Sequence, residues 1–299
     1  MPLAAPANQT TTRGEAERLA ARLPAFAIAA RQVAQSVMSG VHGRRRAGPG
    51  ETFWQFRPFL SGEPATRIDW RRSAREDRAF VREREWEAAH SVYLWFDRTA
   101  SMDFRSHLAQ VGKLERAAVL ALASAQLLLR GGERVGLLGL TRANAKPGII
   151  ERFADVLARA GEGQNLPPMA PLSGRTKILL IGDFFGAPAA TIHALDRLSG
   201  EGATGQMIMI ADPIEEVFPY EGHVEFLTPG GRQRLTIARA QSMRSDYLAA
   251  LAEHRDSLRR ACLRLGWGFA LHRTDGSAAA ALLALWARWD VDAASARGA

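Results

Sequence analysis

The fold is decided by the stretch Val92-Tyr-Leu-Trp-Phe-Asp97-Arg-Thr99-Ala-Ser101-Met102, an apolar run that ends abruptly in a carboxylate. An apolar run of this length, rich in aromatic residues, is typical of a central strand that is buried on both faces. Open α/β folds bind their ligands beyond the carboxyl ends of such strands. The polar residues Asp97, Thr99 and Ser101 therefore occupy the place where a site is expected.

Asp97, Thr99 and Ser101 supply one carboxylate and two hydroxyl oxygens within a single turn. Hard cations such as Mg2+ bind oxygen ligands, keep several waters and take few carboxylates, so this set indicates a cation site. The motif is short, and it leaves open a simpler interpretation in which Thr99 or Ser101 only caps a helix.

A second apolar run, over residues 177–182, also ends in a carboxylate, that of Asp183. Because parallel strands bring their carboxyl ends to one edge of a sheet, we expect Asp97 and Asp183 to share a cation there, directly or through water. The repetition favours the cation site over the capping interpretation. Asp212 also follows an apolar run, but Pro213 and the acidic residues after it indicate a surface loop.

From Ser91 onward, apolar strands alternate with amphipathic helices. This order predicts a mostly parallel, Rossmann-like sheet with right-handed crossovers between two helical layers, which is a three-layer α/β sandwich. The predicted strands are residues 91–97, 134–140, 177–183, 206–211 and 268–273. The predicted helices are residues 112–130, 149–160, 187–199, 238–265 and 277–289. Residues 223–227 and 232–237 flank Pro229-Gly230-Gly231 and predict an antiparallel hairpin.

Two further segments precede this region. Residues 1–40 predict a small polar tail followed by a helix over residues 15–39, which Pro24 weakens. Residues 41–90 alternate aromatic residues with arginines and acids, as in short strands with one buried face, and predict a strand-rich extension packed on the core.

Within this extension we expect a structural cluster, because arginine pairs with carboxylates and stacks on aromatic rings. Its predicted members are Arg57, Arg67, Asp69, Trp70 and Arg75. The alternative is that the extension is a binding surface.

Composition argues against several classes of protein. The net charge of +8 is spread thinly, whereas a nucleic-acid surface concentrates its charge on one element. The single cysteine, Cys262, excludes an internal disulfide and a cysteine-cluster metal site. No apolar run reaches the ~18 residues of a membrane-spanning helix, and the first residues lack a signal pattern. We therefore expect a cytoplasmic protein that binds no nucleic acid.

Standard catalytic motifs are missing from the sequence. Neither His-Glu-x-x-His nor Gly-x-Ser-x-Gly occurs, and Gly131-Gly132-Glu133 lacks the lysine of a phosphate loop. We therefore expect a protein that is not an enzyme. The alternatives left open are a metal-dependent hydrolase that uses Asp97 and Asp183, and a nucleic-acid-binding protein that uses the arginines of residues 44–46 and 67–84.

Two blocks of residues give the chain a family resemblance. The first consists of Gly48-x-Gly50-x-x-Phe53-x-x-x-Arg57, Gly62-Glu63, Arg67-Ile68-Asp69-Trp70, Ser73-Ala-Arg75 and Val81-Arg82-Glu83. The second consists of Asp97-x-Thr99-x-Ser101-Met102, Lys113-Leu114 and Glu133-Arg134-Val135-Gly136-Leu137. From about residue 40 to its last helix, the chain resembles the bacterial domain-of-unknown-function family 58 (DUF58), whose core is a von Willebrand factor A-like domain.

The resemblance implies that residues 91–299 form the von Willebrand factor A-like domain, with its metal-ion-dependent adhesion motif on Asp97, Thr99 and Ser101. In that site the two hydroxyls bind Mg2+ (or Mn2+) directly, Asp97 acts largely through water, and Asp183 matches a later carboxylate. Thr99 stands where the motif usually has serine. The loop threonine of such sites is missing here, where Gln164 or Asn165 could offer only an amide oxygen, so we expect weak metal binding.

The resemblance also implies a role and a partner. A cation held by few protein charges keeps an open position that a Glu or Asp of a partner can occupy, which is recognition by metal bridging. The family suggests that the chain works with a MoxR-type AAA+ ATPase on an unknown client protein, in a chaperone-like or assembly role.

Overall fold

The computed structural model describes residues 9–42, 53–60, 63–75, 78–84, 90–160, 163–172, 176–227 and 234–295. The chain divides into two compact units, one made of Met1–Gly40 and His90–Ala299 and the other of Val41–Ala89. Helix α1 (Gln9–His42) begins the described part of the chain. It extends beyond both limits of the predicted helix and runs through Pro24, with Leu23 and Phe26 buried beside the proline.

In the smaller unit, β1 (Phe53–Pro58) pairs antiparallel with β2 (Phe80–Arg84). The single-turn helix α2 (Trp70–Ser73) lies between them in sequence, and the Asp69 side chain caps it by accepting a hydrogen bond from the Arg72 N–H at 3.0 Å. These are short strands of the kind that the sequence predicted for this segment, and its packing on the core stays a prediction.

The predicted structural cluster is wrong for Trp70, whose side chain is 66% exposed. The physical reason is that α2 is a single turn with no buried residue, so its first side chain has no core to enter. Arg75 is exposed as well, and Asp69 accepts the backbone bond that caps the helix. The side chains of Arg57 and Arg67 lie outside the described residues.

The larger unit is built on seven described strands. They are β3 (Ser91–Phe96), β4 (Arg134–Leu137), β5 (Thr176–Gly182), β6 (Thr204–Ala211), β7 (Val224–Leu227), β8 (Arg234–Ile237) and β9 (Gly268–Arg273). Five of them form a parallel sheet in the order β4-β3-β5-β6-β9, which places β3 between two other strands. β7 and β8 pair antiparallel, as the sequence predicted for a hairpin here.

Helices cover both faces of the parallel sheet. They are α3 (Lys113–Arg130), α4 (Ile149–Arg159), α5 (Pro188–Gly200), α6 (Pro213–Val217), α7 (Arg244–Arg264) and α8 (Ala278–Ser295). Helices α1, α3, α4 and α8 share one buried cluster with Leu94 and Phe96 of β3, whereas α5 and α7 share the opposite cluster with Trp95 and Leu180. The mixed α/β class with a parallel central sheet is confirmed, and the layering is consistent with a three-layer sandwich.

Several predicted boundaries differ from the structure, the largest differences after α1 being at the end of β4, the start of α7 and the end of α8, which runs to Ser295 rather than residue 289. β4 ends at Leu137 rather than residue 140, because the chain turns back there: the N–H groups of Leu140 and Thr141 both donate to the Leu137 carbonyl. The helix predicted from residue 238 begins only at Arg244, after a 3-10 turn over Ala240–Met243. None of the described helices combines the length and the apolar character needed to cross a membrane.

Candidate functional site

Asp97 lies directly after β3, and only 1% of its surface is exposed. Its N–H donates to the Ile181 carbonyl at 2.8 Å, which continues the ladder between β3 and β5 by one residue. A Cβ on Gly182 would lie 3.1 Å from the Asp97 Cβ, so the glycine that ends β5 leaves room for the carboxylate. The two strand ends singled out in the sequence therefore meet at one edge of the sheet.

The two hydroxyls of the motif converge on Asp97. One carboxylate oxygen of Asp97 accepts from the Thr99 N–H at 2.8 Å and from the Thr99 hydroxyl at 2.7 Å. The Thr99 and Ser101 hydroxyl oxygens are 3.1 Å apart. Thr99 precedes a 3-10 turn over Ala100–Met102 but makes no side-chain cap bond to it, and the buried Met102 anchors that turn in the core.

Asp183 follows β5 and is likewise buried. One of its oxygens accepts from the Phe185 N–H at 3.2 Å, and the other accepts from the Lys113 ammonium at 2.9 Å. Phe184 between them has a φ of +51°, a left-handed conformation that a bulky residue rarely adopts and that tightens the turn around Asp183. The structure thus brings Asp97, Thr99, Ser101 and Asp183 to one place and adds a lysine to them.

Lys113, the first residue of α3, is the cation of this site, and only 2% of its surface is exposed. Besides Asp183, its ammonium donates to Glu215 at 2.7 Å. The ring centroids of Phe185 and Phe104 lie 4.9 and 5.6 Å from the ammonium nitrogen. Such contacts, together with two carboxylates, offset the cost of burying an ammonium group.

The electrostatics follow from this burial. Burial penalises the charged form of Asp97 and raises the pKa of its carboxyl group from 3.8 to about 6, against the opposing hydrogen bonds from Thr99. Burial by itself lowers the pKa of Lys113, but the charges of Asp183 and Glu215 outweigh it, so the pKa is raised and the ammonium stays protonated. Burial also raises the pKa of Glu215, although Lys113 acts in the opposite direction.

The prediction of a surface loop after β6 is wrong for Asp212, which is fully buried. Its carboxylate accepts from the N–H groups of Ser106 at 2.9 Å and Ile214 at 3.0 Å, and also from the Ser106 hydroxyl. The Asp212 N–H donates to Glu215 at 2.8 Å, which completes a capping box at the start of α6. A continuous network therefore runs from Ser106 through Asp212, Glu215 and Lys113 to Asp183.

Gln164 and Asn165, the possible loop contributors, lie near the same edge. A Cβ on Gly163 would come within 2.8 Å of Arg98, and one on Gly186 would lie 3.5 Å from the Asn165 amide nitrogen. Gln164 and Arg98 line a neighbouring cavity of about 250 Å3, which is otherwise mostly apolar. The loop of residues 163–165 thus approaches both strand ends, although no bond from either amide to Asp97 or Asp183 is formed.

The oxygens of the motif fit a small hard cation. Ligands on adjacent corners of an octahedron with bonds of 2.0–2.1 Å are separated by about 2.9 Å. The Thr99 and Ser101 hydroxyl oxygens, which the resemblance implies as the direct ligands, are 3.1 Å apart and so lie close to this value. In the described part of the chain, no three His, Cys, Asp or Glu side chains group as metal ligands, so any cation here depends on the hydroxyls.

These observations define a mixed α/β protein with buried carboxylates and half-buried hydroxyls at the carboxyl edge of a parallel sheet. The model of the family "Protein of unknown function DUF58" matches residues 55–148, which include Asp97, Thr99, Ser101 and Lys113. The chain is similar to uncharacterized proteins of Mycobacterium tuberculosis and Mycobacterium bovis, at 26% identity over 275 residues, or 86% of this chain and 86% of each relative.

Solved structures give weaker likenesses. The conserved hypothetical protein BatB from Bacteroides thetaiotaomicron aligns with a TM-score of 0.36 and 14% identity, over 67% of this chain and 98% of that one. An uncharacterized membrane spanning protein from Vibrio fischeri aligns with a TM-score of 0.20 and 16% identity, over 68% and 96% of the two chains. Likenesses at this level define neither the fold nor the function of this chain.

Proposed function

We propose that this chain is a non-catalytic protein-interaction module of the von Willebrand factor A-like class with a metal-ion-dependent adhesion-type site. Thr99 and Ser101 would bind Mg2+ or Mn2+ directly, and Asp97 and Asp183 would act largely through water. The observation that carries the proposal is the convergence of the Asp97, Thr99 and Ser101 oxygens at separations of 2.7 and 3.1 Å. The bound ion would supply an open coordination position for an acidic side chain of a partner.

The contacts of Asp183 and Glu215 favour recognition over hydrolysis by these two carboxylates. A hydrolase needs a carboxylate that can take a proton from an attacking water. Both oxygens of Asp183 are engaged by Phe185 and Lys113, and both oxygens of Glu215 are engaged by Lys113 and Asp212. These carboxylates are held as acceptors within the fold, which suits a fixed docking surface.

Two aromatic side chains extend this surface towards solvent. Phe104 and Phe185 flank Lys113 and keep 38% and 39% of their surface exposed. Partly exposed aromatic residues around a polar centre are common in protein interfaces, where they supply much of the binding energy. The family resemblance then names the proposed partner, a MoxR-type AAA+ ATPase that acts with this chain on a client protein.

The test removes the two hydroxyls without touching the core. We expect Thr99→Ala/Ser101→Ala to leave the apolar core intact, because neither side chain is part of the buried apolar clusters. The free energy of unfolding should fall by about 1.5–3 kcal/mol, because the Thr99 hydroxyl donates to the buried Asp97 carboxylate. Pull-down of a MoxR-type ATPase from the same organism should fall about tenfold or more, and EDTA should reduce binding of the wild type equally. Thr236→Ala/Ser245→Ala removes the same two groups from exposed positions and is the matched control.

Undiminished binding of the ATPase by the double variant would contradict metal bridging. If the Thr99/Ser101 double variant binds the ATPase as well as the wild type without chelator, the hydroxyls hold no bridging ion. Loss of binding in the control variant as well would instead point to a general surface effect.

A further inference from the structure

The charges around Lys113 do not balance. Three carboxylates, those of Asp97, Asp183 and Glu215, act on one another or on this single buried ammonium. With all four groups ionised, their sum is −2. The Arg98 guanidinium, which acts on Asp97, offsets one of these negative charges. A divalent ion would offset the remainder, but the lysine already holds one of the carboxylates that such an ion would use.

We propose that Lys113 is the resident cation of the site and competes with a divalent ion for the carboxylate of Asp183. The inference rests on the proposed function, because it concerns the same ion, and it assigns to Lys113 and Glu215 a part in setting the affinity. It predicts weak metal binding by the isolated chain on a ground separate from the missing loop threonine.

The competition follows from the contacts of the Asp183 carboxylate. The oxygen that bonds to Lys113 at 2.9 Å cannot direct its lone pairs fully to a second cation or its water shell. The ammonium also repels a divalent ion through a buried, poorly screened environment. Both effects weaken divalent binding without altering Asp97, Thr99 or Ser101.

Glu215 gives the ammonium a place to remain when Asp183 turns towards another cation. One carboxylate oxygen of Glu215 accepts a hydrogen bond from the Lys113 ammonium at 2.7 Å, and the other accepts one from the Asp212 N–H at 2.8 Å. The second oxygen of Asp183 is held by a longer bond, from the Phe185 N–H at 3.2 Å, so we expect Asp183 rather than Glu215 to turn towards another cation. A shift of Asp183 would therefore be felt by Phe185, one of the two exposed aromatic residues of the docking surface.

The alternative is that Lys113 forms only a structural ion pair. Breaking a buried pair by removing one partner is strongly destabilising whatever its function, so stability alone does not separate the two interpretations. Affinity for a divalent ion does, because a purely structural lysine leaves it unchanged once the protein is folded.

The first experiment is a Mn2+ titration of the full chain, followed by the electron paramagnetic resonance signal of free Mn2+. We expect Lys113→Met to bind Mn2+ at least tenfold more tightly than the wild type. Lys113→Met/Glu215→Gln removes one positive and one negative charge, so it keeps the sum of −2 and still binds at least threefold more tightly. Lys146→Met removes an exposed lysine outside the network and should match the wild type.

The double variant also protects the test against misfolding, because it leaves no unpaired charge at Glu215. Folding of each variant is checked by near-ultraviolet circular dichroism before titration. The competition is wrong if either folded Lys113 variant binds Mn2+ no more tightly than the wild type.

A second experiment needs no substitution. The chain has only three lysines, Lys113, Lys146 and Lys177, so selective 15N-lysine labelling gives three side-chain ammonium signals. We expect saturating Mg2+ to shift the Lys113 signal and leave the Lys146 signal in place. Mg2+ that binds without moving the Lys113 signal would overturn the proposal even if no variant folds.

These results separate the inference from the function on which it rests. If the wild type binds the ion and the Lys113 variants bind it equally, the function stands and the competition fails. If only the Lys113 variants bind it, the competition stands, and metal bridging by the wild-type chain is wrong.

Discussion

His272 gives the chain a buried group that must stay neutral, and its replacement should change how stability depends on pH. The residue lies on β9 and is 8% exposed, and its Nε2 has no hydrogen-bond partner within the described structure. Burial lowers the pKa of the imidazole from 6.5 to about 4, the charge of Arg116 on α3 adds to this, and Asp275 opposes it. The unfolded chain therefore binds a proton at a pH where the folded chain does not.

The direction and size of the change in stability with pH follow from the difference between the folded and unfolded pKa values of His272. Stability contributed by the neutral imidazole is complete above pH 6.5 and is lost as the pH falls from 6.5 towards 4. At about 1.36 kcal/mol for each unit of pKa, the full loss is about 3 kcal/mol. In His272→Gln this loss should be absent.

Asp97 acts in the opposite direction, so the wild type alone is a poor test. The pKa of its carboxyl group is higher in the folded chain, about 6 against 3.8, so the folded state gains stability as the pH falls through this interval. The gain is also about 3 kcal/mol and nearly cancels the loss from His272. Asp97→Asn should remove the gain and leave a stability that falls steeply with acid.

The assay is urea unfolding in EDTA at several pH values between 7.5 and 4.5, for the wild type, His272→Gln and Asp97→Asn. Differences between variants cancel the contribution of every other titrating group that the substitution leaves alone. Acidification should stabilise His272→Gln and destabilise Asp97→Asn, each relative to the wild type and by about 2–3 kcal/mol. If all three curves run parallel, neither buried group has the shifted pKa on which the reasoning depends.

Two further predictions concern stability. A Cβ on Gly205 would lie 1.9 Å from the Ile178 carbonyl oxygen across the β5–β6 pair, so Gly205→Ala should lower the free energy of unfolding by about 3 kcal/mol or more. A Cβ on Gly200 would have no atom within 4 Å, so Gly200→Ala is the control and should change the free energy of unfolding by less than about 1 kcal/mol. Chemical denaturation of the two variants measures both values. Trp70→Ala should lower the melting temperature little, because the residue is 66% exposed. Trp267→Ala removes a buried indole and should lower the free energy of unfolding by about 3–5 kcal/mol. A large drop in melting temperature for Trp70→Ala would restore its predicted structural role.

The elements that could be predicted from sequence are those whose pattern is set by burial alone. β3 and β5 are continuous apolar runs, so the sequence predicted that both are buried strands of the parallel sheet and that each is followed by a carboxylate at the same edge. Trp70 shows the limit of this reasoning. An aromatic residue among arginines predicts packing on average, but the single turn of α2 places this indole outside any core.

The part of the site that sequence reasoning missed depends on charges brought together across the fold. Asp212-Pro-Ile-Glu215 has the spacing of a capping box, and this local signal could have shown that the segment is ordered rather than an exposed loop. No local pattern predicts that Glu215 also reaches Lys113, 102 positions away, or that Lys113 reaches Asp183, 70 positions away. The presence of a lysine at position 113, in a chain whose cations are almost all arginine, was a weak sign that this position has a special role. The preference for lysine over arginine here has a physical reason. A compact ammonium fits between two carboxylates beneath the Phe104 and Phe185 rings, where the broader, planar guanidinium would need more space.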